Sequence, residues 1–154
     1  MSKHKLIHGV KIKPLKQIID ESGKIMLMLR NDEENFKKFG EIYFSCTYPG
    51  VVKAWHLHKK MNLNYAIIHG QLKCVLHDDR KKSPTKGMTQ EIYMSTENYF
   101  LLTVPPLVWN GFKGIGTSTS IVANCSDIPH DPDEIIRIKP NSPKIPYKWD
   151  IKNR

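Results

Sequence analysis

At 154 residues the chain has the length of one domain, enough to bury a core without disulfide or metal staples. A formal net charge of +9 favours anionic partners, but the basic residues are scattered from Lys11 to Lys148 with no basic arm and no aromatic stacking platform, which speaks against nucleic acid. No apolar run approaches the ~18 residues needed to span a bilayer, the N-terminal stretch lacks signal-peptide order, and Cys46, Cys74 and Cys125 form no C-x-x-C pair, so a cytoplasmic protein with reduced thiols and no membrane partner is expected.

In chain order, runs rich in Val, Ile, Tyr, Phe and Thr predict strands near residues 9–15 and 24–29. Residues 31–39 alone read as a short helix: Asn31 or Asp32 caps it, Glu33 and Glu34 occupy the first turn, Lys37 and Lys38 come late, and Gly40 follows. Further strands are predicted near 41–47, 51–58, 64–69, 71–77, 88–94, 99–104, 108–112 and 120–124. Gly50, Gly70, the loop from Ser83 to Gly87, Pro105-Pro106 and Gly114 to Gly116 punctuate them. From residue 129 the chain turns Pro-rich and loses alternation, which predicts an irregular strap anchored by Tyr147 and Trp149. The whole is expected to be a single all-β domain over 1–154, with a barrel over 1–128 and the strap over 129–154.

Chemistry concentrates around His56. Strand alternation places Val52, Ala54, His56 and His58 on one face and Lys53, Trp55 and Leu57 on the other, so two imidazoles stand side by side. The spacing from Gly50 through His56-Leu57-His58 to Gly70 resembles the first cupin motif, and Pro105 to Asn110 resembles the second. A cupin-type jelly-roll β-barrel is therefore the expected fold. Metal-binding cupins use two His, a Glu and a third His, a donor set for iron, manganese or zinc. Here the Glu position is Leu63 and the third His position is Asn110. His56 and His58 remain the alternative metal pair, but imidazole also exchanges protons at neutral pH without any metal.

The chain resembles the dTDP-4-dehydrorhamnose 3,5-epimerase family over most of its length. The resemblance runs through Asp20 to Gly23, Gly50 to His56, Asp78-Asp79-Arg80 with Ser83 to Gly87, Glu97-Asn98, and Val104 to Phe112. It implies a metal-independent isomerase without cofactor, acting on a nucleotide-diphosphate 4-keto-6-deoxy sugar in polysaccharide or deoxysugar synthesis, and a homodimer. It also implies His56 as the base beside the ketone, His58 as a second acid or base and Asn110 as an orienting amide. Lys53 and Asn64 are the expected substrate-binding residues, with Lys53 standing where the family has an Arg for the diphosphate. Ser22 replaces the Arg of the N-terminal motif, Asn110 the second active-site His, and Ala123 the proton-donating Tyr. Tyr48, Tyr65 and Tyr147 are the alternative phenols. His56-Leu57-His58-Lys59 is also similar to the His-Ala-His-Lys run of sugar-nucleotide 3,4-ketoisomerases, a rival activity, and a non-catalytic sugar-binding cupin is the rival from another class.

Overall fold

Two five-stranded antiparallel sheets lie face to face. The computed structural model describes residues 5–152, and among them are twelve strands and no helix. The first sheet has the order β1 (Lys11–Pro14), β9 (Phe100–Val104), β6 (Leu63–His69), β11 (Ser120–Ser126), β4 (Glu41–Thr47). The second runs β12 (Ile135–Arg137), β5 (Val52–His58), β10 (Val108–Gly114), β7 (Gln71–Asp78), β8 (Thr89–Ser95). A separate hairpin joins β2 (Gln17–Asp20) to β3 (Gly23–Met26). Sequence neighbours such as β4 and β5 thus sit in different sheets, the crossing pattern of a jelly roll. No helix of the described residues is long and apolar enough to cross a membrane.

The all-β jelly-roll expectation agrees with this architecture, but the helix at residues 31–39 does not. That stretch forms isolated turns, with the amides of Glu33 and Phe36 bonding the carbonyls three residues back, at Arg30 and Glu33. Its acidic residues serve another purpose: Glu33 and Glu34 pair with Lys13 and Lys11 of β1. Nine residues without an apolar face against the core are too few to sustain a helix. The short strands β2 and β12 lay below the resolution of the sequence pattern, β12 because it is three residues long and sits among prolines.

Alternation fills the space between the sheets. Leu63, Tyr65 and Ile67 of β6, Leu72, Cys74 and Leu76 of β7, and Phe100, Leu102 and Val104 of β9 form the main core with Phe112 and Val122. Each outer face has its own cover. The N-terminal residues Leu15, Met26, Met28 and Leu29 pack over Ala66 and Leu101 of the first sheet and over Tyr99, which precedes β9. The C-terminal segment packs Ile138, Ile145, Tyr147 and Trp149 over Trp55, Leu57, Val75 and Trp109 of the second. The Trp55 indole N–H donates to the Pro140 carbonyl at 3.2 Å, and the Lys113 ammonium donates to the Trp149 carbonyl. The C-terminal strap is thus one sheet strand followed by an aromatic clasp.

Candidate active site

Between the sheets the core gives way at one end to a cleft of about 410 Å³, within the size range of small-molecule sites. Strand register explains which residues reach it. In the second sheet Arg137, His56, Asn110 and Leu76 are directly opposed across β12, β5, β10 and β7, so they share one inward row. In the first sheet the facing row is Tyr43, Asn124, Tyr65, Leu102 and Ile12, across β4, β11, β6, β9 and β1. The Tyr65 hydroxyl donates to Asn110 Oδ1 at 3.2 Å and ties the two rows together. His58, Lys53, His130, Glu41 and Ser45 complete the polar lining.

Lys53 departs from the strict alternation. Asn110 opposes His56, but Phe112 opposes Lys53, so two residues of β5, Ala54 and Trp55, face one of β10, Gly111, a β-bulge. Ala54 and Trp55 both turn to the outer face, where they join the aromatic cluster, and Lys53 and His56 both turn inward. Gly111 makes room for the bulge. A Cβ there would meet Ala54 Cβ at 2.5 Å and the Trp149 ring at 3.0 Å. The small residue in the Asn-Gly-Phe segment is thus a consequence of two layers pressing on one strand.

His58 is paired with a carboxylate that the sequence reading missed. Its Nδ1 lies 2.7 Å from Glu134 Oε2, and both side chains are buried. Glu134 Oε1 accepts the amides of Lys60 and Met61 at 2.7 and 2.9 Å. Burial opposes ionisation of Glu134, but these two amides and His58 outweigh it and hold its carboxyl below the ordinary range. An ionised Glu134 only accepts, so Nδ1 of His58 carries a proton toward it and Nε2 is the nitrogen left to face the cleft. His56 is in a different state. Burial first, then the charges of Arg137, His58 and Lys53, push its pKa down to about 4, which keeps the ring neutral near pH 7.

Of the five expected site residues, His56, His58, Asn110 and Lys53 line the cleft and Asn64 does not. Asn64 is buried inside the first sheet, where its amide N–H₂ donates to the Cys125 carbonyl and its Oδ1 accepts from Thr103. The Lys53 ammonium donates to Ser45 Oγ at 3.3 Å and to the Cys46 carbonyl, which draws it toward β4. Among the described residues no three His, Cys, Asp or Glu side chains converge on one point. Of the alternative phenols, Tyr65 lies in the cleft, Tyr48 is 70% exposed outside it, and Tyr147 belongs to the clasp, donating to Glu91 at 2.6 Å.

The comparisons with known proteins agree on one family. Residues 4–154 match the model of the dTDP-4-dehydrorhamnose 3,5-epimerase family. The chain belongs to that family. It is 34% identical over 145 residues to the spore coat polysaccharide biosynthesis protein SpsL of Bacillus subtilis, covering 94% of this chain and 91% of that one. It is 33% identical over 143 residues to the probable low-salt glycan biosynthesis epimerase of Haloferax volcanii, covering 92% and 88%. Among solved structures, a dTDP sugar isomerase from Desulfovibrio desulfuricans superposes with a TM-score of 0.91 at 42% identity, covering 93% of this chain and 92% of that one.

Within the epimerase family frame, Ala123, read from the sequence as the tyrosine position, faces away from the cleft. It opposes Phe44 and Ala66 on the outer face of the first sheet, and the neighbouring Asn124 faces inward. Beyond Glu134, sequence reading missed Arg137 and Tyr43. Arg137 lies on the three-residue β12, which has no pattern to detect. For Tyr43 a signal existed: alternation along β4 puts Glu41, Tyr43 and Ser45 on one polar face, and all three line the cleft.

Proposed function

We propose that this protein epimerises a nucleotide-linked 4-keto-6-deoxy sugar for polysaccharide or deoxysugar synthesis, using its imidazoles as proton carriers and neither metal nor cofactor. The observation that carries this reading is the arrangement of His56 and His58 along one wall of the cleft, with Glu134 fixing the tautomer of His58, in a chain of the epimerase family. The ketone at C4 acidifies the hydrogens at C3 and C5. Neutral His56 removes one of them, and the electron pair moves into an enolate on the C4 oxygen. His58, its Nδ1 held by Glu134, serves as the second acid or base through Nε2. Asn110, whose Nδ2 donates to the His56 carbonyl at 3.2 Å, orients the strand that carries the base. Lys53 and Arg137 supply positive charge for the diphosphate. Arg137 fits that role because, among the described residues, it has no ion-pair partner and sits beside His56 across the β12–β5 pair.

A cytoplasmic location fits the free thiols of Cys46, Cys74 and Cys125. A homodimer fits the apolar residues left to water: Ile42 and Phe44 on the edge strand β4, and Ile18, Ile19 and Ile25 on the β2–β3 hairpin.

A 3,4-ketoisomerase is the second reading, favoured by the placement of both imidazoles on the same wall, which suits proton transfer between neighbouring carbons on one face. One experiment separates the readings. dTDP-4-keto-6-deoxyglucose is incubated with the protein in deuterated water and followed by NMR. Epimerisation gives deuterium at C3 or C5 with an inverted centre and the ketone still at C4. A ketone at C3 supports the isomerase. Absence of exchange and of any new sugar, across several nucleotide forms, refutes both and leaves a binding protein.

A further inference from the structure

Inversion at carbon requires that the proton leave from one face of the sugar and return to the other. The imidazoles of His56 and His58 lie on β5, in the second sheet. Across the cleft, the first sheet presents two phenols, Tyr43 from β4 and Tyr65 from β6. A sugar held between the sheets therefore meets imidazole on one side and phenol on the other.

The two phenols differ in what their hydrogen is doing. The Tyr65 hydroxyl is fully buried and donates to Asn110 Oδ1. Its proton is already committed to a partner. The Tyr43 oxygen instead accepts a hydrogen bond, from Asn124 Nδ2 at 3.0 Å. The orientation of that amide is set independently, because Asn124 Oδ1 accepts the Asn64 backbone N–H at 3.0 Å. With the carbonyl end of Asn124 turned to Asn64, only the N–H₂ end can face Tyr43. The Tyr43 hydrogen is left free to point into the cleft. Tyr43 is also 38% exposed, so solvent can restore a proton it gives up.

We propose that Tyr43 is the proton donor of the epimerisation, a catalytic residue that supplies from β4 the phenol that β11 does not place in the cleft, and that Asn124 positions it. The proposal rests on the epimerase reading above. In the step, His56 takes the hydrogen next to the ketone and the electron pair becomes the enolate. The Tyr43 O–H bond then breaks, its proton forms the new C–H bond on the opposite face, and the C4 carbonyl is restored. The phenolate left behind is stabilised by the Asn124 N–H and takes a proton from water, while His56 returns its own to water. Burial holds the Tyr43 hydroxyl above its ordinary pKa, so it stays protonated at neutral pH. Asn64, which does not line the cleft, acts in this scheme only through the orientation of Asn124.

The test compares wild type, Tyr43→Phe and Tyr65→Phe in deuterated water with dTDP-4-keto-6-deoxyglucose, and dTDP binding by calorimetry reports an intact site. For Tyr43→Phe the expected result is continued deuterium uptake next to the ketone with retained configuration, while formation of the inverted sugar falls about 10²–10⁴-fold. Tyr65→Phe, which removes the hydroxyl that Asn110 Oδ1 accepts, is expected to slow exchange and inversion together and to leave their ratio as in the wild type. Inversion at the wild-type rate by Tyr43→Phe overturns the proposal. So does loss of exchange together with inversion in Tyr43→Phe, since that marks a binding or base defect. Failure of the wild type itself to exchange refutes the epimerase reading instead, and the two failures are thereby told apart.

Discussion

The space between the two sheets is one continuous layer, yet its two halves have opposite characters. On the row through His56, the positions on β12, β5 and β10 are Arg137, His56 and Asn110, and the next one, on β7, is Leu76. On the facing row Tyr43, Asn124 and Tyr65 give way to Leu102 and Ile12. The backbone makes the same ladder in both halves. What differs is that leucines close the layer at β7 and β9, with Ile12 of β1 beyond, whereas polar side chains keep it open at β4 and β5. Tyr65 stands at the border, its ring packed edge-on against Phe112 at 5.0 Å and its hydroxyl on Asn110. A jelly roll thus obtains its cleft by changing side-chain chemistry part-way along a row, without a change of fold.

If the halves are functionally separate, substitutions on either side should fail in different ways. The largest effect is expected for His56→Asn: turnover of the ketosugar falls about 10²–10⁴-fold, while the thermal midpoint stays near that of the wild type. A comparable loss of stability would make His56 a structural residue and erase the distinction. The counterpart in the closed half is Leu102→Ala, which should cost about 2–5 kcal/mol of stability in denaturant unfolding. Its specific activity should hold at temperatures where the variant is folded. An activity loss in folded protein would show that packing at β9 reaches the site.

Glu134→Gln gives a smaller effect and sharpens the role of the carboxylate. The glutamine carbonyl can still accept the Lys60 and Met61 amides at the Oε1 position. Its N–H₂ then faces Nδ1 of His58 and forces the other tautomer, which leaves Nε2 protonated. Loss of a bond to a charged partner worth about 1.5–3 kcal/mol corresponds to a fall in kcat of about 10–150-fold. Steady-state kinetics should show it in kcat with KM unchanged. A change confined to KM would assign Glu134 to binding.

The mildest probe is pH. His56 has a folded-state pKa pushed down to about 4 from the ordinary 6.5, chiefly by burial and then by Arg137, His58 and Lys53. Between these values the unfolded chain binds the proton more readily than the folded one, so the contribution of neutral His56 to stability is full above about 6.5 and is lost as pH falls toward about 4. In the free enzyme kcat/KM should stay level as pH drops through about 6.5 and decline only toward about 4. An acid limb centred at 6.5 would place the essential base in ordinary solvent, outside the cleft as described.

Much of this molecule was legible in its residues. Runs of β-branched and aromatic residues between Gly and Pro turns marked most of the strands, because pleated, half-buried surface selects those side chains. The Gly50 to His58 stretch marked the site for a related reason: two imidazoles two residues apart on a strand share a face. Glu134 and Arg137 were not legible, since both lie in a Pro-rich segment whose short strand exists only through pairing with β5. The supposed helix at residues 31–39 failed on the same ground, because Lys11 and Lys13 of a distant strand claimed its acidic residues.

The sequence by itself therefore determined the fold class, the family and the strand that carries the imidazoles, all of which rest on local periodicity and short motifs. Tertiary structure alone decided which groups meet those imidazoles. Lys53 reaches the cleft through a bulge set by register against β10, His58 finds its carboxylate 76 positions away, and Tyr43 faces the histidines from another sheet. The physical reason is common to all three: they are contacts between distant segments, fixed by strand order and register, and no window of neighbouring residues contains them.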